Sequence, residues 1–206
     1  MAQYFSVHPE NPQRRLVSQT VDIIRQGGLV VIPTDSSYAI ACHIGDKRAL
    51  DKIRQIRQLS DKHNFTLICK DLTQVSNFTK IGNDAYRLIK SLTPGAFTFL
   101  LDATKEVPKR LQHPKKKTIG IRIPDNKFTQ MVIEELDEPI LSSTLIFPNN
   151  TEAETDPYEI REKLESELDL IIDFGIIESQ ETTVISCIDS DIEIVRQGIG
   201  IASMLD

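Results

Sequence analysis

Short apolar strands and amphipathic helices follow one another in this chain, but not in the regular alternation of a doubly wound sheet. β-Branched or alternating runs stand at residues 29–32, 65–69, 96–101, 119–123, 183–188 and 192–195, with shorter ones at 140–141 and 170–172. Helical spacing of apolar residues marks 14–26 (Leu16, Val17, Thr20, Val21, Ile23, Ile24), 46–58, 83–91, 128–136 and 156–168. Asp46 is an N-cap for the second of these, and Asp156-Pro157 opens the last with a cap followed by Pro at the first helical position. Gly27-Gly28 stops the first helix. The pattern predicts an α/β fold, a single mixed twisted sheet flanked by helices, in one domain spanning 1–206. Residues 148–155 read as a polar loop inside that domain.

The composition excludes several classes. With 40% hydrophobic residues the chain can bury a sizeable core. No run approaches 18 apolar residues, and residues 1–8 lack the basic-then-apolar pattern of a secretory leader, so a cytoplasmic protein with no membrane partner is expected. Cys42, Cys69 and Cys187 are far apart and odd in number, and each lies in an apolar run. They read as small buried hydrophobes in a reducing compartment. His8, His43, His63 and His113 show no metal-ligand spacing, so no metal site is expected. There is no GxxxxGK[ST], GxGxxG or GxSxG. The net charge of −6 is unevenly spread: residues 1–135 hold 21 Lys and Arg against 13 acids, residues 136–206 only 3 against 17. Either the first two thirds face an anionic partner, or an acidic end packs beside a basic one.

Three segments carry candidate chemistry. In Thr34-Asp35-Ser36-Ser37-Tyr38, five consecutive side chains can hydrogen-bond. They close a strand with a Ser/Thr turn, or they contact a small amino acid. In residues 93–101, Pro94-Gly95 makes a turn and Thr98 is the conspicuous polar residue of the strand that follows. In residues 118–125, Arg122 is the lone charge of an apolar strand, either paired with a carboxylate at the core edge or offered to an anion. Arg196, after Ile194-Val195, is placed similarly. Lys109, Arg110, Lys115, Lys116 and Lys117 form a run without acids, which is a solvated loop or a phosphate-binding patch.

These segments resemble the signature stretches of the YrdC/YciO family, whose best-known members make threonylcarbamoyl-AMP for tRNA modification. The resemblance spans residues 14–198. It is strong at 94–101 and 118–125 and closest to the YciO branch, as stretches 61–71 and 105–120 indicate. It implies a YrdC-like α/β fold with a concave basic groove. It also implies a substrate end built from Thr34, Ser36, Tyr38, Thr98, Ser143 and Thr144, and nucleotide contacts from Arg57, Lys62, Arg122, Ser143 and Arg196. Arg57, Lys62 and Thr34 are then the catalytic candidates. ATP is implied as substrate, with Mg²⁺ accompanying it, and tRNA or double-stranded RNA as a partner on Lys109, Arg110 and Lys115–Lys117.

Two departures bear on activity. The synthases carry Lys-x-Arg-Pro-x-x-Lys-Pro-Leu where this chain has residues 54–62, with Arg57 and Lys62 as substitutes. They also carry Thr-Ser-Ala-Asn where it has Ser143-Thr144-Leu145-Ile146, and Ile146 cannot hydrogen-bond as Asn does. Losing one such contact costs about 1–3 kcal/mol, roughly one to two powers of ten in rate. The resemblance therefore implies a weakened threonylcarbamoyl-AMP synthase. The alternatives are an RNA-binding protein without strong catalysis, and a related nucleotidyl or carbamoyl transferase, or adenylate hydrolase, with another substrate.

Overall fold

The computed structural model describes residues 1–60, 63–189 and 191–202. In chain order the elements are β1 (Gln3–Ser6), α1 (Arg14–Arg25), β2 (Val30–Pro33), β3 (Tyr38–His43), α2 (Lys47–Arg57), β4 (Thr66–Ile68), α3 (Leu72–Phe78), β5 (Thr79–Lys80) and α4 (Asn83–Leu92). They continue with β6 (Phe97–Ala103), β7 (Thr118–Arg122), α5 (Lys127–Leu136), β8 (Ile140–Thr144), α6 (Pro157–Leu164), β9 (Leu170–Asp173), β10 (Thr183–Ile188) and β11 (Asp191–Arg196). The strands form one mixed sheet in the order β1-β9-β2-β3-β8-β4-β7-β6-β10-β11, with β5 beside β6. The β2/β9, β4/β7 and β6/β10 pairs are parallel, whereas β2/β3, β3/β8 and β6/β7 are antiparallel.

Side-chain alternation along the strands sorts the apolar residues to two faces. On one face Val31, Ile40, Leu67, Ile121, Phe99 and Ile185 join buried residues of α2, α3, α4 and α6 in one core. On the other, Val30, Ile32, Ala39, Ala41, Ile68, Ile140 and Leu170 pack under α1 and α5. That second helical layer covers only the β9-β2-β3-β8 side. Beyond it, the same face of β4, β7, β6 and β10 presents Thr66, Gly120, Thr98, Leu100 and Val184 to a cavity. This partial coverage creates the groove.

Helix starts follow the expected chemistry. The Asp46 carboxylate accepts from Ala49 N at 2.8 Å and that of Asp156 from Tyr158 N at 2.8 Å. Such caps contribute about 1 kcal/mol each. All three cysteines are free and buried.

The structure departs from the expected elements in a few places. β8 continues through Ser142–Thr144, because all three pair with β3 and Ser142 is held by β4 as well. α6 ends at Leu164 and not near 168, and the Glu165 carbonyl instead accepts from Ala2 N at 2.7 Å, beside the edge strand β1. β1, β3, α3 and β5 are additional elements. Among the described residues no helix is long and apolar enough to cross a membrane.

Candidate functional site

The open face holds a cavity of about 330 Å³ whose lining includes Thr66, Thr98, Gly120, Arg122, Thr144 and Thr182. It adjoins a second chamber of about 430 Å³ with Ser36, Ser37, Ile146, Glu152, Gln180 and Glu181 on its walls. Thr144, Thr182 and Arg196 line both. The size and the ring of hydroxyls fit a small polar ligand.

The floor depends on Gly120. A Cβ there would stand 2.8 Å from Thr66 Oγ1 and 3.1 Å from the Phe65 carbonyl. A side chain at this point requires Thr66 Oγ1 to turn away and the β4 backbone to give by a few tenths of an ångström.

Arg122 ends β7 on the same face and is 7% exposed. Its Nη2 donates to Asp35 Oδ1, while Asp35 Oδ2 accepts from Asp125 N at 2.9 Å. Both alternatives for this arginine therefore meet in one side chain. It is paired with a carboxylate, yet its Nε is buried with no hydrogen-bond partner. Burial lowers the Arg122 pKa, and the Asp35 charge and hydrogen bond act against that shift. A buried guanidinium N–H without a partner is costly, and this residue is on the cavity wall. Arg196 is fixed by Glu181 at 3.1 Å and by the Thr182 carbonyl, to which Nη2 donates at 3.0 Å. Thr98 shares a hydrogen bond with Thr182 at 2.9 Å.

The other expected site residues divide. Ser36 and Thr144 line the second chamber. Thr34 Oγ1 donates to the Ser37 carbonyl at 2.7 Å and accepts from Ser36 N and Ser37 N at 3.2 Å. It closes the turn between β2 and β3. The Tyr38 hydroxyl donates to the Gly175 carbonyl at 2.7 Å and accepts from Phe174 N at 3.0 Å, so it fastens the segment after β9. Ser143 lines the first cavity, and its hydroxyl turns toward the last residue of α2. There Arg57 Nη1 donates to its Oγ and His63 Nε2 lies 3.0 Å away. Arg57 Nε also donates to the Ile146 carbonyl at 3.3 Å, and burial lowers the Arg57 pKa to about 10. Lys62 falls outside the described residues.

Ser143 Oγ accepts from a guanidinium that can only donate, so its own proton is free for His63 Nε2. A neutral His63 can accept that proton. Burial first, then Arg57 and Arg54, push its pKa down to about 4. Sequence reasoning missed His63, Asp35 as the partner of Arg122, and the groove residues Asn64, Thr66 and Thr182. The alternation within β4 and β7 was the available signal for Thr66.

The basic run is exposed, and Arg110 Nη2 donates to the Gly45 carbonyl at 2.7 Å. Lys117 precedes the first residue of β7 and Arg122 is its last, roughly 17 Å along the strand. None of Lys109, Arg110 or Lys115–Lys117 lines either chamber. Among the described residues no group of three or more His, Cys, Asp or Glu could hold a metal ion.

A mixed sheet with helices over all of one face and part of the other, and a hydroxyl-lined groove on the remainder, defines a YrdC-type α/β domain. The chain belongs to the Sua5/YciO/YrdC family, whose model, described as telomere recombination, matches residues 22–198. It is 50% identical over 200 residues to the uncharacterized protein YciO of Escherichia coli K12, covering 97% of each chain. The crystal structure of E. coli YciO superposes with a TM-score of 0.95 at 48% identity over 100% of both chains. A putative threonylcarbamoyl-AMP synthase of Methanocaldococcus jannaschii is 25% identical over 191 residues, 92% of this chain and 89% of that protein. P. abyssi Sua5, solved with L-threonine, shares the fold with a TM-score of 0.86 at 23% identity, covering 95% of this chain and 57% of that one.

Proposed function

We propose that the groove binds ATP with a small amino acid and catalyses, at a reduced rate, the threonylcarbamoyl-AMP synthase reaction that serves tRNA modification. Threonine and bicarbonate give a carbamate. Its oxygen attacks the α-phosphorus of ATP, and pyrophosphate leaves. The observation that carries this reading is the buried, unpartnered Arg122 Nε beside a hydroxyl-lined cavity. The named activity of the distant M. jannaschii relative and the threonine bound to P. abyssi Sua5 support the reaction and the substrate.

The chemistry needs placement and charge neutralisation more than a nucleophilic side chain. Arg122 and Arg196 hold phosphate oxygens, and Thr98 and Thr144 orient the ligand. Ser36 contacts the amino acid, while Thr34 and Tyr38 hold the wall in shape. Ser143, on the first cavity's wall, and Arg57, which donates to its hydroxyl, extend the nucleotide contacts, and Lys62 joins them. Mg²⁺ accompanies the nucleotide. Its ligands are the phosphates and water, with at most one or two carboxylates from the groove, and no step is assigned to it. Ile146, an apolar residue on the second chamber's wall, accounts for the reduced rate.

Arg122→Lys is the test. Lysine keeps a positive charge for Asp35 but replaces the planar guanidinium, Nε included, with a single ammonium. ATP affinity measured by calorimetry should fall about tenfold or more, with the circular dichroism unchanged. Unchanged affinity would refute the assignment. RNA binding that is ATP-independent, salt-steep and lost on removing Lys115–Lys117 would instead favour an RNA-binding module.

A further inference from the structure

The connection between α2 and β4 carries His63 to Ser143. The His63 backbone N–H donates to the Ser60 carbonyl at 3.1 Å. Its ring stands edge-on to the buried Phe65, with centroids 5.1 Å apart and 81° between the planes. The ring is thereby held with Nε2 3.0 Å from Ser143 Oγ. Arg57 Nη1, which can only donate, fills one lone pair of that oxygen. Ser143 is 5% exposed, and His63 Nε2 is the one acceptor that its proton reaches among the described residues. A serine donor buried without an acceptor is costly, so donation runs from Arg57 to Ser143 to His63. Arg57 Nε donates to the Ile146 carbonyl at 3.3 Å. Two of the five guanidinium N–H groups are then committed, and Nη2 has no partner among the described residues.

We infer that His63 is a positioning residue: by accepting the Ser143 proton it leaves the serine lone pairs to Arg57, and so fixes the guanidinium beside the first cavity with Nη2 free for an anionic oxygen. A neutral imidazole suits this place because it offers one acceptor nitrogen, and burial together with the charges of Arg57 and Arg54 opposes the imidazolium. Without that acceptor the Ser143 hydroxyl must turn its proton elsewhere, and its lone pairs turn with it. The long Arg57 side chain then loses its anchor and regains rotamer freedom. The consequence for ATP rests on the nucleotide reading above, whereas the order of the hydrogen bonds does not.

The test begins on the ligand-free wild-type protein. Nitrogen NMR of the His63 ring at pH 7 should show the Nδ1–H tautomer, with Nε2 unprotonated. The Nε2–H tautomer overturns the inference, and this measurement decides even if a variant fails to fold. His63 is half-buried and lies outside both α2 and β4, so His63→Leu and His63→Gln should keep the wild-type circular dichroism. Leucine keeps the apolar contact with Phe65 and removes the acceptor, whereas glutamine restores an acceptor oxygen. Exchange of the Arg57 Nε–H with solvent should quicken about tenfold in His63→Leu and stay within about threefold of wild type in His63→Gln. ATP affinity should follow the same order, about tenfold weaker in the first variant and within about threefold in the second. Equal behaviour of the two variants, or wild-type exchange in His63→Leu, overturns the inference and leaves His63 a packing residue. No ATP binding by the wild-type protein, with the tautomer and the exchange rates as expected, supports the inference and refutes the nucleotide reading alone.

Discussion

Tyr38→Phe separates a wall-building hydroxyl from a substrate-binding one. The ring of Tyr38 is fully buried, and phenylalanine fills the same volume, so no cavity term arises. What is lost is the pair of bonds from one oxygen, donated to the Gly175 carbonyl and accepted from Phe174 N. Gly175 is exposed, so water recovers its carbonyl, whereas Phe174 is half-buried and its N–H is left poorly solvated. Two neutral bonds at about 1 kcal/mol each, with partial recovery at one, give a loss of about 1–2 kcal/mol. For a chain of this length that lowers Tm by about 2–8 °C. Burial also holds the Tyr38 phenol far above its usual pKa, so the hydroxyl stays protonated and the loss is independent of pH through neutrality. The assay is thermal unfolding without ligand, together with calorimetric titration of ATP. The account expects the Tm shift with ATP affinity held within about threefold. An unchanged Tm with affinity lost tenfold would refute the reasoning and return Tyr38 to direct ligand contact.

Gly120→Ala should cost about 1–3 kcal/mol in urea unfolding and weaken ligand binding, since its methyl meets Thr66 Oγ1 and the Phe65 carbonyl. Wild-type values in both would contradict the close-approach argument. His63 has a folded pKa of about 4 and an unfolded value near 6.5, so between these only the unfolded chain takes up the proton. Stability therefore falls as pH drops from about 6.5 to about 4, and His63→Gln should flatten that limb of a urea-unfolding series. An unchanged limb would show that His63 is not held neutral. Burial raises the Cys42 thiol to about 12 and the Cys187 thiol to about 11, with Cys69 higher still. A thiol reagent at pH 8 should modify the protein only as fast as it unfolds, and rapid labelling of the native state would contradict this.

The strands that alternate were legible because the side-chain period is two: Ile119 and Ile121 point to one core while Gly120 and Arg122 point to the groove. β3 was not, because Tyr38–Cys42 is an unbroken buried run that follows four polar residues, and the turn chemistry of Thr34–Ser37 masked the strand start. Arg122 was legible as a lone charge in an apolar strand. Its partner was not, because Asp35 lies 87 residues away and reaches it only across the sheet. The chemistry of Thr34 cannot say whether its hydroxyl closes a turn or contacts a ligand; the bonds from Ser36 N and Ser37 N show it closing the turn. His63 lacks metal-ligand spacing in sequence and gains its place only where the chain after α2 passes under Ser143. The basic run 109–117 was visible as charge, but only the register of β7 shows that it stands away from the groove.

Pyrophosphate release from ATP, with threonine and bicarbonate omitted in turn, tests the central claim most directly. The account predicts slow release that requires both co-substrates and is lost in Arg122→Lys. Release that ignores threonine and bicarbonate, or no release at all when both are saturating, would contradict it.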